Sequence, residues 1–209
     1  IEDLRQVDKS CIRVVHKESE KKMIKVIEEA KEEGNSLGGT IELIGVNIPV
    51  GLGSHINWER KLDSRLTAAI MSIQGIKAVE VGLGTITAQK KGSEFHDEII
   101  YSTKYKRKTN NAGGIEAGIS NGEDIVLRAT MKPIPTLRRP LETVDMVTKE
   151  KANAQFERSD VCAVPSASIV AENMVAYIIA DEIVRKFGGD FMEETIVNYN
   201  NYLSYLEKR

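Results

Sequence analysis

The spacing of apolar residues along the chain changes several times, and each change predicts an element. Residues 11–16, Cys-Ile-Arg-Val-Val-His, read as a short strand. Met23, Val26, Ile27 and Ala30 then recur at helical spacing, and Gly34 suits the end of that helix. The stretch 38–51 is rich in β-branched residues and bounded by glycines, which predicts a strand. A second helix is expected over 59–73, with Leu62, Leu66, Ala69, Ile70 and Ile73 on one face. Residues 76–82 alternate again. Residues 89–114 lack apolar periodicity, carry the basic run Lys104, Lys106, Arg107 and Lys108, and are expected to form a long mobile loop. Strands are expected at 124–132 and 142–148, on either side of a proline-rich turn. Two helices close the chain. The first opens near Pro165 and Ser166; the last starts at Asp190 with Glu193 three residues on, a capping-box-like pattern. Strands come in groups and helices in pairs, so the expected class is α+β with antiparallel sheets, in a single domain over 1–209.

Composition narrows this only a little. With 209 residues, 41% hydrophobic and 29% charged, the chain has the make-up of an ordinary globular protein with a sizeable core. A net charge of −2 gives no global electrostatic reason to expect nucleic acid as a partner. A nucleic-acid binder using Lys104–Lys108 is the weaker rival, and the acidic balance of the chain argues against it. No apolar run approaches a membrane span, so no membrane partner is expected. Cys11 and Cys162 lie far apart without metal-ligand spacing, which fits reduced thiols in a cytoplasmic protein and no metal site.

Three stretches carry candidate chemistry. In Asn-Ala-Gly-Gly-Ile-Glu-Ala-Gly-Ile-Ser-Asn-Gly (111–122) the glycines permit close approaches and exposed N–H groups, although tight turns alone would explain them. Neither a phosphate loop nor a dinucleotide fingerprint is present. In 131–140 Pro133 and Pro135 fix the backbone and present Lys132 and Thr136 at the end of a strand, either for a phosphate or as a solvated turn. In Glu157-Arg158-Ser159-Asp160, Arg158 can grip a phosphate or carboxylate and Asp160 can act as acid or base. On spacing alone, a local Arg158–Asp160 ion pair at a helix entrance accounts for this stretch. His16, His55 and His96 share no partner pattern, and none is assigned a role.

Taken in order, these stretches resemble chorismate synthase. The resemblance runs through Asn-Ser-Leu-Gly-Gly (35–39), Asn-Ile-Pro-Val-Gly-Leu-Gly (47–53), residues 62–84, Gly-Ser-Glu-Phe-His-Asp-Glu (92–98), 111–122, Met-Lys-Pro-Ile-Pro-Thr-Leu (131–137) and 157–176. It implies a layered sandwich with helices packed between antiparallel sheets, typically in a homotetramer. It also implies an anti-1,4-elimination of phosphate from 5-enolpyruvylshikimate 3-phosphate to give chorismate, with reduced FMN required although no net redox change occurs. A non-catalytic flavin- or phosphate-binding module that keeps the fold is the alternative. Position by position, the family's flavin contacts fall on Gln74, Gly75, Ala117, Lys132, Pro133, Ile134, Pro135, Thr136 and Arg158. Arg158 also lies near the substrate phosphate in the family pattern, and Asp160 matches an aspartate that assists proton transfer at flavin N5.

The chain departs from that pattern in several places. The family usually has Asp-Ser where Asn35-Ser36 stands, Asn-Ala at Gln74-Gly75, and Gly at Ala117. Its N-terminal catalytic histidines, most of its substrate-binding arginines and an Arg-Ser-Ser segment have no counterpart here. The expectation is therefore the C-terminal portion of a chorismate synthase, inactive by itself.

Overall fold

The computed structural model describes residues 4–208. Where one domain was expected, contacts group the chain into two compact units. Among the described residues, the first unit comprises 4–41, 75–77 and 130–170; the second comprises 42–74, 78–129 and 171–208.

In the first unit, residues 11–16 do not form the expected strand. The Ser10 hydroxyl accepts hydrogen bonds from the Ile12 and Val14 N–H groups, and Arg13 adopts a φ of 57°, so the segment turns. Helix α1 (Lys17–Glu32) follows, with Glu18 and Glu20 in its first turn and Lys31 in its last, which complements the helix dipole. It stops at Gly34, whose φ is 73°. The Gly34 N–H donates to Lys31 O and the Asn35 N–H to Ala30 O, satisfying two of the last carbonyls. Of the expected apolar face only Ala30 is fully buried. Met23 and Val26 are half exposed and border a cavity of about 300 Å³, lined also by Ile27, Leu37 and Cys162.

Strand β1 (Gly39–Gly45) buries Ile41 and Leu43 at alternate positions. It ends earlier than expected because Asn47 turns the chain with a φ of 58° and Pro49 has no N–H to give. Strands β2 (Ile76–Val81) and β7 (Ile125–Met131) complete a three-stranded sheet in the order β1–β7–β2. The Lys132 N–H donates to Gly75 O and the Gly82 N–H to Val126 O, so β2 and β7 run antiparallel. The same holds for β1 and β7, where Arg128 pairs with Glu42 while Gly38 lies against Met131 and Gly45 against Ile125. Three two-stranded antiparallel ribbons accompany this sheet: β3–β4 (Ile99–Tyr101 and Tyr105–Arg107), β5–β6 (Ile115–Glu116 and Ile119–Ser120) and β8–β9 (Glu142–Val144 and Lys151–Asn153). The strand expected over 142–148 stops at Val144 because the Asp145 carboxylate accepts from the Val147 and Thr148 N–H groups and forms a turn.

The second unit holds most of the buried apolar side chains. Helix α2 (Leu62–Met71) places Leu62, Leu66 and Ile70 at four-residue intervals, all with no exposed area. Each such side chain contributes about 1.5–3 kcal/mol by leaving water. Helix α4 (Val164–Phe187) begins in the first unit and continues into the second, where its Glu182 is buried and ion-paired with Arg65 of α2. Arg65 also binds Asp181, and hydrogen bonds from Arg185 and Arg65 hold the Asp181 carboxyl below the usual carboxylate range. Helix α5 (Met192–Glu207) is capped one residue later than the Asp190–Glu193 reading. Phe191 occupies the N-cap, and Glu194 reaches back to the Asp190 N–H at 2.9 Å. No helix among the described residues is long and apolar enough to cross a membrane.

Residues 89–114 are not one irregular loop. They contain the short helix α3 (Gly92–Phe95) and the β3–β4 hairpin. Polar ties replace the missing apolar periodicity. Asp97, 7% exposed, accepts hydrogen bonds from the Thr109 hydroxyl and from the Asn111 and Ala112 N–H groups. Arg107 pairs with Glu116 and Lys108 with Glu98, so half of the basic run is already engaged by carboxylates.

Burial alone would raise the Asp97 carboxyl. The bonds from Thr109, Ala112 and Asn111, together with the Arg107 charge, instead hold it below its ordinary value of 3.8. A carboxyl lowered on folding stabilises above its unfolded value, and that contribution is lost as pH falls through the folded value. Asp97→Asn should therefore cost about 1–3 kcal/mol at pH 7. Its melting temperature should also decline less steeply than that of wild type below a pH of about 4. Superimposable melting curves at pH 7 and pH 3 would show that the carboxylate does not organise this segment.

Candidate active site

At the end of β7 the chain leaves the sheet as Lys132-Pro133-Ile134-Pro135-Thr136. The Lys132 N–H to Gly75 O bond, 2.9 Å, is its last rung. Pro133 and Pro135 supply no N–H, so ordinary strand pairing stops there. The Ser36 hydroxyl instead donates to Ile134 O at 2.5 Å. Two residues on, Gly38 passes so close to this arm that a Cβ would lie 2.2 Å from Met131 O. No other residue fits at position 38 without a backbone shift.

A second arm, Glu157–Asp160, is exposed and leads into α4 without regular structure. The Leu37 N–H donates to Val161 O at 2.8 Å, and Leu37 bridges Cys162 in parallel. The hydroxyls of Thr136 and Ser159, 2.9 Å apart, join the arms directly. The short run 36–38 thus supports both arms within the first unit.

The side chains of Lys132, Arg158 and Asp160 are exposed, and none forms an ion pair with another described residue. The local Arg158–Asp160 pair, which spacing alone favoured, is not made. Ser159 does the local holding, through Thr136, and the two charged residues on either side of it make no ion pair.

The sequence and structure have clear relatives. The chorismate synthase family model matches residues 1–184. The chain belongs to the chorismate synthase family. It is 53% identical over 207 residues to chorismate synthase of Geobacter metallireducens, covering 95% of this chain and 53% of that protein. It is 52% identical over 215 residues to the enzyme of Alkaliphilus oremlandii, covering 100% of this chain and 56% of the relative. A crystal structure of chorismate synthase superposes with a TM-score of 0.83 at 41% identity, over 98% of this chain and 54% of that one. The chain therefore spans about half the length of the relatives it matches, and it has their α+β fold of small antiparallel sheets and helices.

Of the positions that the chorismate synthase resemblance marks, Gly75, Lys132, Pro133, Ile134, Pro135, Thr136, Arg158 and Asp160 lie in the first unit. Gln74 and Ala117 belong to the second. Gly75 has a φ of 85°, and a Cβ there would come 3.0 Å from the Met131 methyl, so the alanine common in the family would be strained here. Ala117 shows the converse. It sits exposed in the turn between β5 and β6 with a φ of 53°, which costs a non-glycine residue about 1–3 kcal/mol. That is a physical reason for the family's preference for glycine at this position.

Sequence reasoning assigned no role to Ser36 or Gly38, and placed Ser159 only within the Arg-Ser-Asp stretch expected to hold flavin and substrate. The only signal was that the first two fall in the Asn-Ser-Leu-Gly-Gly run, where small residues crowd between a helix end and a strand. It also left Ser120 out. This side chain, 1% exposed, accepts from the Leu52 N–H at 2.8 Å and donates to Pro49 O at 2.6 Å, anchoring the strand that follows Ala117. Ser120→Ala leaves both groups buried without their partner and should cost about 1–3 kcal/mol in a thermal or urea melt. A loss within the scatter of surface substitutions, about 0.5 kcal/mol, would mean that the turn does not depend on this bridge.

Proposed function

We propose that this chain supplies the wall of a chorismate synthase active site that faces flavin and phosphate. The reaction is the anti-1,4-elimination of phosphate from 5-enolpyruvylshikimate 3-phosphate to give chorismate, in the presence of reduced FMN. The observation that carries this reading is the pair of arms at 132–136 and 158–160. Tied to each other and to residues 36–37, they leave two cations and a carboxylate unpaired and exposed.

The residues present fit a flavin mononucleotide. Lys132 and Arg158 offer positive charge, the second as a bidentate fork, to a phosphate group. The hydroxyls of Thr136 and Ser159 can donate or accept, and the proline-fixed backbone of 133–135 holds its shape before any ligand arrives. Gln74, Gly75 and Ala117 are the further positions expected to touch the cofactor. When bound, reduced FMN would supply an electron-rich ring with a nitrogen able to accept a proton.

The chain's own part in the elimination is electrostatic. The carbon–oxygen bond to phosphate breaks as negative charge grows on the leaving group, and a guanidinium already in place stabilises that charge without reorganisation. Arg158 is assigned this role. Asp160, two residues on and unpaired, holds or moves a proton at N5. We assign the complete enzyme to the cytoplasm as a homotetramer on the family resemblance.

Two outcomes are expected. Mixed with reduced FMN and substrate under anaerobic conditions, this 209-residue chain alone should release phosphate only at the background rate. General acids of near-neutral pKa and further cations are needed to complete the site, and the remaining half of the relatives' length is where we place them. Clear turnover would show that the catalytic groups are all within this chain. In the complete enzyme, Asp160→Asn should leave the melting temperature and FMN affinity nearly unchanged while turnover falls by about 10²–10⁴-fold, the range of general acid–base catalysis. A variant that melts early yet turns over normally per folded molecule would make Asp160 a structural residue.

A further inference from the structure

The two ligand-facing arms have an unusual mechanical problem. Between Met131 and Thr136 the backbone has lost two N–H donors to proline, so the sheet that ends at the Lys132–Gly75 rung cannot extend through it. The carbonyl of Ile134 lies between the two prolines and still needs a donor. Ser36 provides one. Its side chain is only 6% exposed, its hydroxyl reaches Ile134 O at 2.5 Å, and its own N–H is taken up by the Asn35 side-chain oxygen at 2.9 Å. The very next residue, Leu37, holds the other arm through Val161 O. Any shift of residues 36–37 is therefore passed to the Lys132 arm and to the Arg158–Asp160 arm together.

We propose that Ser36 is a positioning residue of the active site, its hydroxyl standing in for the sheet hydrogen bond that the Pro-Ile-Pro sequence cannot make. It touches no ligand itself. It acts by fixing how the backbone of 132–136 is presented, and through Leu37 it keeps that arm in register with Arg158 and Asp160. This role rests on the reading of those arms as the flavin- and phosphate-facing wall.

The test compares wild type, Ser36→Cys, Ser36→Ala and Ser36→Thr in the complete enzyme. Cysteine keeps the volume but is a weak donor, alanine removes the group, and threonine keeps the hydroxyl. Two quantities are read: amide hydrogen exchange without ligand at Lys132 and Leu37, whose N–H groups are bonded to Gly75 O and Val161 O, and FMN affinity by fluorescence titration. Loss of one hydrogen bond predicts exchange faster by about tenfold at those amides and FMN binding weaker by about tenfold in the cysteine and alanine variants. Threonine should stay close to wild type in both. Unchanged exchange and affinity in the folded cysteine and alanine variants would overturn the proposal. So would equal impairment in all three, since packing at position 36 would then matter rather than its hydroxyl. If wild type itself fails to bind FMN, the flavin reading fails, and the exchange data still decide whether Ser36 anchors the arm.

Discussion

A strand that contains Pro-Ile-Pro cannot be held by a sheet. That shortage of donors governs the first unit, because the segment that follows β7 carries Lys132 and must nevertheless keep a defined shape. The burden passes to a five-residue run between α1 and β1. Its serine hydroxyl, one backbone N–H and a glycine too close to Met131 for any side chain hold two distant parts of the chain. Few apolar side chains assist. Among the described residues, Ala30, Ile41, Ile76 and Ala167 are the buried hydrophobic residues of this unit, and α1 leaves Met23 and Val26 half exposed beside a cavity. The proposed ligand wall is therefore held more by hydrogen bonds than by a thick core.

The second unit is built the other way. Leu52, Leu62, Leu66, Ile70, Ile125 and Leu127 are almost wholly buried, and this core tolerates Glu182 because Arg65 meets it. Removing one partner of such a pair leaves an uncompensated charge, which is far more costly than the pair is helpful. Above this core the chain affords a left-handed alanine at position 117. Strain of that kind persists only where neighbours over-determine the backbone, and the Ser120 bridge to Pro49 and Leu52 is one such constraint.

Placing Arg158 and Asp160 two apart, with a serine between them tied to Thr136, separates holding from chemistry. The residue that fixes the arm is neutral and bonded, whereas the charged residues are exposed and unpaired. An ion pair between them would have secured the same segment but spent the groups that a phosphate or a proton-accepting ring would use. The local ion pair that spacing alone had suggested is not made, which leaves both charges available for the role proposed for them.

Local pattern by itself determined these elements: apolar spacing gave α1 and α2, β-branched or alternating residues gave β1, β2 and β7, and start signals gave the two long closing helices. The order of the motifs pointed to the family by resemblance, and the family model over residues 1–184 bears it out. Tertiary structure decided the rest, wherever a side chain bonds to backbone distant in sequence. The Ser10 turn replaced a strand at 11–16. Asp97 tied 109–112 into a segment that shows no apolar pattern. Ser36 donates to a carbonyl 98 positions away. Local pattern carries information about faces and turns, whereas a single hydroxyl or carboxylate leaves no periodic trace of the partner that it will meet.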